Sequence, residues 1–301
     1  MASRETNIRL RSRIIRYIRD FFYEHEYLEV ETPCLIPAPA PEAHIDAIKV
    51  DGLFLHTSPE LCMKRLLCSG HSRIFQICRC FRNDERGELH LPEFTILEWY
   101  HADINYSKLM NECQEMIQSV AHRLEKGETI NYQGMEIDLK GPWQRISVKR
   151  AFEKYSTLSL QDALDSNRFD EVMVEQIEPR LRETGPIFLY DYPAQLAALS
   201  RLKHNDPTLA ERFELYIGGL ELANAFSELT DPDEQARRFR KEIQDRERAG
   251  KTLYPLPEKF IRDLGNMPDA AGIALGVDRL VMLFTDTARI DDVVCFTPEE
   301  L

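Results

Sequence analysis

Residues 76–100 read QICRCFRNDERGELHLPEFTILEWY: an apolar run that ends in an arginine, a charged turn, and a second run that alternates. Taken as two strands joined by NDERGELHLP, Gln76, Cys78, Cys80 and Arg82 share one face of the first strand, and Phe94, Ile96, Glu98 and Tyr100 share one face of the second. If those faces coincide, a cation, an aromatic plate, a carboxylate and a phenol converge. Such a set suits a nucleotide together with an amino acid. A ring can stack on Phe94, Arg82 can hold a phosphate by its planar fork, and Glu98 with Tyr100 can bind an ammonium group. A hairpin whose charges face water and whose aromatics fill a core shows the same alternation. The stretch therefore defines a hairpin and leaves its use open.

Working outward, 301 residues with 43% apolar content suffice for one large domain, and no repeat or Gly/Ser linker divides the chain, so one domain with an insertion is expected. An N-terminal helix is expected to end near Glu26, with YLEVETPCL as a strand after it, LFLHT as a short strand and SPEL as the first turn of a helix. Tyr106 to Glu125 is expected to be helical, and the segment from Ile130 to about Asn205 to mix helices with short strands. DPDEQARRFRKEIQDRERAGK is a charged surface helix capped by Asp231 with Pro232 at its first position. GIALG is a buried strand feeding the helix VDRLVMLF. Strand pairs followed by helices, without regular βαβ alternation, predict an α+β fold with a mainly antiparallel sheet flanked by helices. No GxGxxG or GxxxxGK[ST] occurs, which argues against a dinucleotide fold or a P-loop.

The six arginines of MASRETNIRLRSRIIRYIRD are expected on the exposed face of a helix whose buried side is Ile14, Ile15, Ile18, Phe21 and Phe22. That pattern is neither a secretory signal nor a membrane span, and a cytoplasmic protein is expected. The cysteines at 34, 62, 68, 78, 80, 113 and 295 form no CxxC pair and are odd in number, which predicts packing residues in a reducing compartment rather than zinc ligands. A net charge of −13 disfavours extensive nucleic-acid binding, which usually needs a broad basic surface.

Two further stretches carry buried-charge chemistry. In ELANAFSEL, Glu221, Asn224 and Glu228 stand among apolar residues, and a buried carboxylate needs a cation, a metal or strong donors. Strict alternation puts Glu221 opposite to Asn224 and Glu228, so convergence requires a bulge between them. In GIALGVDR, Gly276 permits close approach to the backbone and Arg279 lies in the first helical turn. Glu60 of SPEL sits where a helix dipole stabilises a carboxylate with or without a functional role.

YLEVETP, FRND with HLPEF, and GIALGVDR resemble motifs one, two and three of class II aminoacyl-tRNA synthetases. SPEL, EFTILEWY and ELANAFSEL narrow the likeness to the lysyl branch, and the absence of a preceding OB-fold makes the chain similar to the paralogous family of elongation factor P (R)-β-lysine ligases. The resemblance implies a single class II catalytic domain over residues 1–301, ATP as substrate with Mg2+, a lysine-like amino acid, elongation factor P as protein substrate, and a homodimer. It implies an amino-acid site of Ser58, Pro59, Glu60, Glu98, Tyr100, Asn224, Glu228 and Ala274. ATP contacts are implied at Arg82, Asn83, Asp84, Leu91, Phe94, Glu221, Leu222, Gly276 and Arg279, metal ligation at Glu221 and Glu228, and catalytic roles at Arg82 and Arg279. The chain departs from the family pattern at Asp84, Leu91, Ala225 and Ser227. Ala274 stands where the synthetases show glycine, as in the ligases, and one methyl in an amino-acid pocket shifts preference by ~1 to 3 kcal/mol. A lysyl-tRNA synthetase-like enzyme using α-lysine, and a non-catalytic paralogue, are the alternatives.

Overall fold

The computed structural model describes residues 3–301. Its centre is an eight-stranded sheet made of β1 (Leu28–Glu29), β2 (Arg73–Phe81), β3 (Glu93–Ala102), β4 (Gln144–Ser147), β5 (Ile187–Pro193), β6 (Leu209–Ile217), β7 (Leu220–Ser227) and β8 (Ala270–Gly276). The strand order is β1-β2-β3-β8-β7-β6-β5-β4. All pairings are antiparallel except the outermost, β1 on β2 and β4 on β5. This is the mainly antiparallel α+β arrangement that the alternating strand pairs predicted.

Helices α1 (Arg4–Glu24) and α3 (Tyr106–Arg123) cover one face. Ser3 caps α1, its side chain accepting from Thr6 N–H, and Ile14, Ile18, Phe21 and Phe22 form its buried stripe at helical spacing. Phe22 stacks on Phe75 of β2 at 4.7 Å and lies 5.2 Å from Trp99 of β3, so the stripe docks on the hairpin of residues 76–100. The arginines do not all remain outside, as the sequence led us to expect. Arg11 is buried and pairs at 2.5 Å with Asp278, in the first turn of the helix α6 (Val277–Thr285), while its second nitrogen donates to Thr95 Oγ1 at 2.8 Å. Asp278 also accepts from Thr95 N–H at 2.7 Å. A buried guanidinium is tolerable only with such partners, and the trio ties α1, β3 and α6 together directly behind the cleft.

YLEVETPCL is less of a strand than expected. Only Leu28–Glu29 pairs with β2, with Val30 N–H adding one more bond to Phe75 O at 2.9 Å; Pro33 has no N–H to continue the ladder. The chain then enters a small sheet of Leu35–Ile36, Lys49–Val50 and Leu53–Leu55. On the opposite side of the main sheet from α1, α2 (Glu60–Cys68) packs through Leu61, Met63 and Leu67 with Phe260 of α5 (Glu258–Asp263) and Phe239 of α4 (Pro232–Arg248). The charged α4 is capped as expected by Asp231, which accepts from the N–H groups of Asp233 and Glu234. Its Arg246, however, is fully buried, donates to the carbonyls of Glu42, Ile45 and Thr252, and pairs with Asp46. That cation pins the loop carrying Glu42 beside the cleft.

Candidate active site

The cleft lies across the middle of the sheet, where β3, β8 and β7 run side by side. Register explains how its walls align. Gln76 pairs with Glu98, Cys78 with Ile96 and Cys80 with Phe94, so the two alternating faces of residues 76–100 coincide. Across the next two strands Ala274 pairs with Glu98 on one side and with Asn224 on the other. Three neighbouring strands thus place Glu98, Ala274 and Asn224 in one row.

In β7 the register against β6 slips: Leu215 pairs with Ala223, but Tyr216 pairs with Glu221, so Leu222 is the extra residue of a bulge. This one-residue insertion brings Glu221 to the same face as Asn224, and both line the cleft with Phe226 and Glu228.

At one end the groups are acidic. Ser58 Oγ donates to Glu98 Oε1 at 2.6 Å and Tyr100 OH donates to Oε2 at 2.9 Å. Ser58 Oγ also accepts from Glu60 N–H at 3.0 Å. Lys64, one turn on from Glu60, is buried between Glu60 Oε1 at 2.5 Å and Glu228 Oε2 at 2.6 Å. Burial alone disfavours its ammonium, but Glu228 and Glu60 outweigh that and raise its pKa above the ordinary value. Four carboxylates (Glu42, Glu60, Glu98 and Glu228) therefore face this end, and among the described residues Lys64 is the one cation in direct ion pairs with any of them. Glu228 Oε1 has no hydrogen-bond partner among the described residues although it is buried. The deficit of positive charge fits a ligand bearing two ammonium groups.

The carboxylates respond to that deficit. Glu98 is pushed up to about 8, first by burial and then by the Glu60 charge, against the opposing Ser58 and Tyr100 donors. Glu228 rises to about 7 through burial, which Lys64 opposes, and Glu42 rises to about 7 through burial and the nearby Glu60. An unfolded chain protonates such groups near pH 4.3. From there up to about pH 8 these three carboxyls hold more protons in the folded protein than in the unfolded chain, so their contribution to stability falls as pH rises through that window. We expect the ligand-free melting temperature to drop from pH 6 to pH 8.5, and the drop to shrink in Glu98→Gln. An unchanged slope in Glu98→Gln would show that Glu98 is already ionised in the empty site.

At the other end the groups are cationic and aromatic. The Arg82 guanidinium lies 4.9 Å from the centre of the Phe94 ring. Its only ion-pair partner among the described residues is Glu85 at 3.8 Å, and its Nε is buried without an acceptor. Arg279 donates to the Glu221 carbonyl at 2.7 Å and lies 3.5 Å from the Glu221 carboxylate. Its other nitrogen meets His90 Nε2 at 2.7 Å; burial and the Arg279 charge lower the His90 pKa, leaving a neutral ring that accepts. A Cβ on Gly276 would meet nothing closer than Arg279 at 3.8 Å, so this backbone is open towards the cleft.

Several expected site residues fall elsewhere. Asn83 and Asp84 do not line the cleft: both are exposed, and Asn83 Nδ2 donates to Asp84 Oδ2 at 2.7 Å. Asp84 adopts φ +61°, a left-handed turn conformation that aspartate tolerates. Pro59 caps α2 and contributes no lining atoms. Leu91 is both a lining residue and part of the main core. Glu221 and Glu228 cannot share one metal ion, since seven residues of an extended strand separate them by roughly 20 Å and Glu228 is committed to Lys64. The acid beside Glu221 is Glu214, whose charge helps to raise the Glu221 pKa after burial. Glu214 itself accepts from Arg212 at 2.6 Å and from Tyr216 OH at 2.8 Å. Arg212 also donates to Asn224 Oδ1 at 3.2 Å, which leaves the Asn224 NH2 for a ligand.

Lys64, His90, Arg212, Glu214 and Gly272 were not anticipated. Only Lys64 had a local signal, its i+4 spacing from Glu60. The others depend on strands far apart in sequence.

The sequence profile of the tRNA synthetases class II (D, K and N) matches residues 2–300. The chain belongs to this class II family. Among class II relatives, the lysine–tRNA ligase of Magnetococcus marinus is 38% identical over 95% of this chain and 62% of its own length. The chain thus spans less than two thirds of that enzyme. Relatives named elongation factor P–(R)-beta-lysine ligase are 37% identical in Vibrio atlanticus, over 96% of this chain and 94% of the relative, and 38% identical in Mannheimia succiniciproducens, over 95% and 93%. No helix among the described residues is long and apolar enough to cross a membrane.

Proposed function

We propose that this chain is an ATP-dependent ligase that activates (R)-β-lysine as an acyl-adenylate and transfers it to a lysine side chain of elongation factor P. The observation that carries the reading is the acidic end of the cleft, closed by Ala274 in register between Glu98 and Asn224. Its excess of carboxylates calls for a diamino acid, and the alanine methyl narrows the floor beneath it. The ligase relatives support the protein substrate by their names.

In the first step a carboxylate oxygen of the amino acid attacks the α-phosphorus of ATP, and the bond to pyrophosphate breaks. In the second, the ε-amino nitrogen of the acceptor lysine attacks the acyl carbon, an amide forms and AMP leaves. Both rest on positioning and charge stabilisation. Arg82, stacked on Phe94 and with an unsatisfied Nε, binds the α-phosphate; Arg279, steadied by His90 and the Glu221 carbonyl, holds the far end of the triphosphate. Glu221 and Glu214 are the residues that would hold magnesium, which when bound supplies positive charge beside the leaving pyrophosphate. Glu60, Glu98 and Glu228 take the ammonium groups.

The second reading, α-lysine activation for tRNA, is favoured by equal identity to the lysine–tRNA ligases. ATP–pyrophosphate exchange with the two amino acids side by side separates them. We expect (R)-β-lysine to be preferred, and Ala274→Gly to improve α-lysine by roughly 5- to 100-fold, as one methyl allows. Equal rates, or none with β-lysine, would sink the ligase reading. We further infer a cytoplasmic homodimer in which Tyr23 and Leu28, each more than half exposed beside β1, are covered by the partner. Sedimentation at the mass of a single chain would refute the dimer.

A further inference from the structure

The same hairpin carries a second group of side chains that the ATP and amino-acid chemistry leaves unused. Cys78 Sγ and Cys80 Sγ are 4.0 Å apart, and Cys80 Sγ is 3.9 Å from His56 Nε2. The three ligand atoms all fall within 4.8 Å of one another, the one such cluster of His, Cys or acidic groups among the described residues. A tetrahedral zinc ion with bonds of ~2.3 Å to sulfur and ~2.0 Å to nitrogen has S···S edges of ~3.8 Å and S···N edges of ~3.6 Å. Two edges lie within ~0.3 Å of those values, and the third, Cys78 Sγ to His56 Nε2, has to shorten by about 1.2 Å at most for the triangle to close on such an ion.

The three residues come from two places. Cys78 and Cys80 sit two apart on β2 and face the same way, whereas His56 directly follows the Leu53–Leu55 strand of the small sheet and is bonded to β2 through Phe81 N–H at 3.0 Å. Packing explains some of this, since Cys80 is wholly buried. It does not explain why two thiols and an imidazole share one pocket. Leu35 pairs with Leu55, so Cys34 lies opposite His56, whose N–H donates to the Cys34 carbonyl at 2.8 Å; the exposed Cys34 thiol stands outside the three-atom cluster but on the same side. Opposed residues of an antiparallel pair project to the same side.

We propose that Cys78, Cys80 and His56 form a site for a thiophilic divalent cation of the zinc type, with Cys34 or a water molecule completing the tetrahedron. His56 Nε2 donates to the Arg79 carbonyl at 2.6 Å; for Nε2 to take the ion, the ring proton moves to Nδ1, and the two thiols release theirs to solvent. The ion would clamp the small sheet to β2 two residues before Arg82, so its effect is on the rigidity of the nucleotide end and not on the chemical step. Magnesium, a hard oxygen-seeking ion, would not compete for these ligands.

The test uses the full chain, reduced and stripped of metal, titrated with Co2+ as a spectroscopic probe and then with Zn2+. We expect one equivalent of Co2+ to give thiolate-to-metal charge-transfer bands that Zn2+ abolishes, and Zn2+ to raise the melting temperature. Cys78→Ser and His56→Ala should lose stoichiometric binding, and Cys295→Ser, at an exposed and unrelated thiol, should keep it. Absence of thiolate bands in the folded wild-type chain overturns the proposal, as do equal bands in Cys78→Ser. The wild-type titration decides the matter even if a variant fails to fold.

Discussion

Arg82→Ala is expected to lower amino-acid-dependent pyrophosphate exchange by roughly 10²- to 10³-fold or more, the ~3 to 4 kcal/mol that one preorganised donor supplies to a developing charge. Three features direct the loss to catalysis. The guanidinium lies over the Phe94 ring, and among the described residues its buried Nε has no acceptor and its one ion pair, to Glu85, is long at 3.8 Å. Nothing in the core depends on it, so thermal unfolding should scarcely change. Arg82→Lys should recover little, because a point charge on a flexible stem reproduces neither the planar stack nor the fork. Exchange rates at saturating ATP and amino acid, read beside a melting curve, check both statements. A variant that keeps more than a tenth of the exchange rate would remove Arg82 from the α-phosphate.

Gly272→Ala is expected to be the most damaging single methyl at the acidic end. Gly272 pairs with Tyr100 across β8 and β3, and a Cβ built there would fall inside contact distance of both the Tyr100 ring and the Glu228 carboxylate. Neither neighbour can retreat, since Tyr100 is hydrogen-bonded to Glu98 and Glu228 is held by Lys64, and both are buried. Overpacking of this kind costs ~1 to 3 kcal/mol of stability. Displacing Tyr100 and Glu228 should in addition raise the KM for the amino acid at least tenfold while leaving that for ATP nearly unchanged. Equal effects on both constants would mean that the strain spreads through the sheet instead of staying at the amino-acid end. The contrast with Ala274 is instructive. Two residues further along the same strand and face, a methyl is already present and has room, so there the same atom tunes selectivity.

The hairpin of residues 76–100, the α1 stripe, the Asp231 cap and the strand-to-helix step at Gly276 were all legible, because each rests on spacing within a few residues. Reading ELANAFSEL as convergent required a bulge, and Leu222 supplies it. Local pattern misled where a partner came from far along the chain. Arg11 and Arg246 looked like surface charges, yet Asp278 and the carbonyls of residues 42–45 bury them. Asn83 and Asp84 followed their motif to the cleft on paper, but the turn points them outward.

By itself the sequence determined the class of fold, the alternating face that carries Arg82, Phe94, Glu98 and Tyr100, and the chemistry those side chains can offer. These are short-range properties, set by the two-residue period of a strand and the 3.6-residue period of a helix. The tertiary structure alone decided which polar groups meet: Lys64 between Glu60 and Glu228, Glu214 beside Glu221, His90 on Arg279, and His56 against Cys78 and Cys80. Electrostatic energy in a poorly solvated cleft depends on distances of a few ångströms through space. Residues dozens of positions apart acquire those distances only when the sheet has set its register.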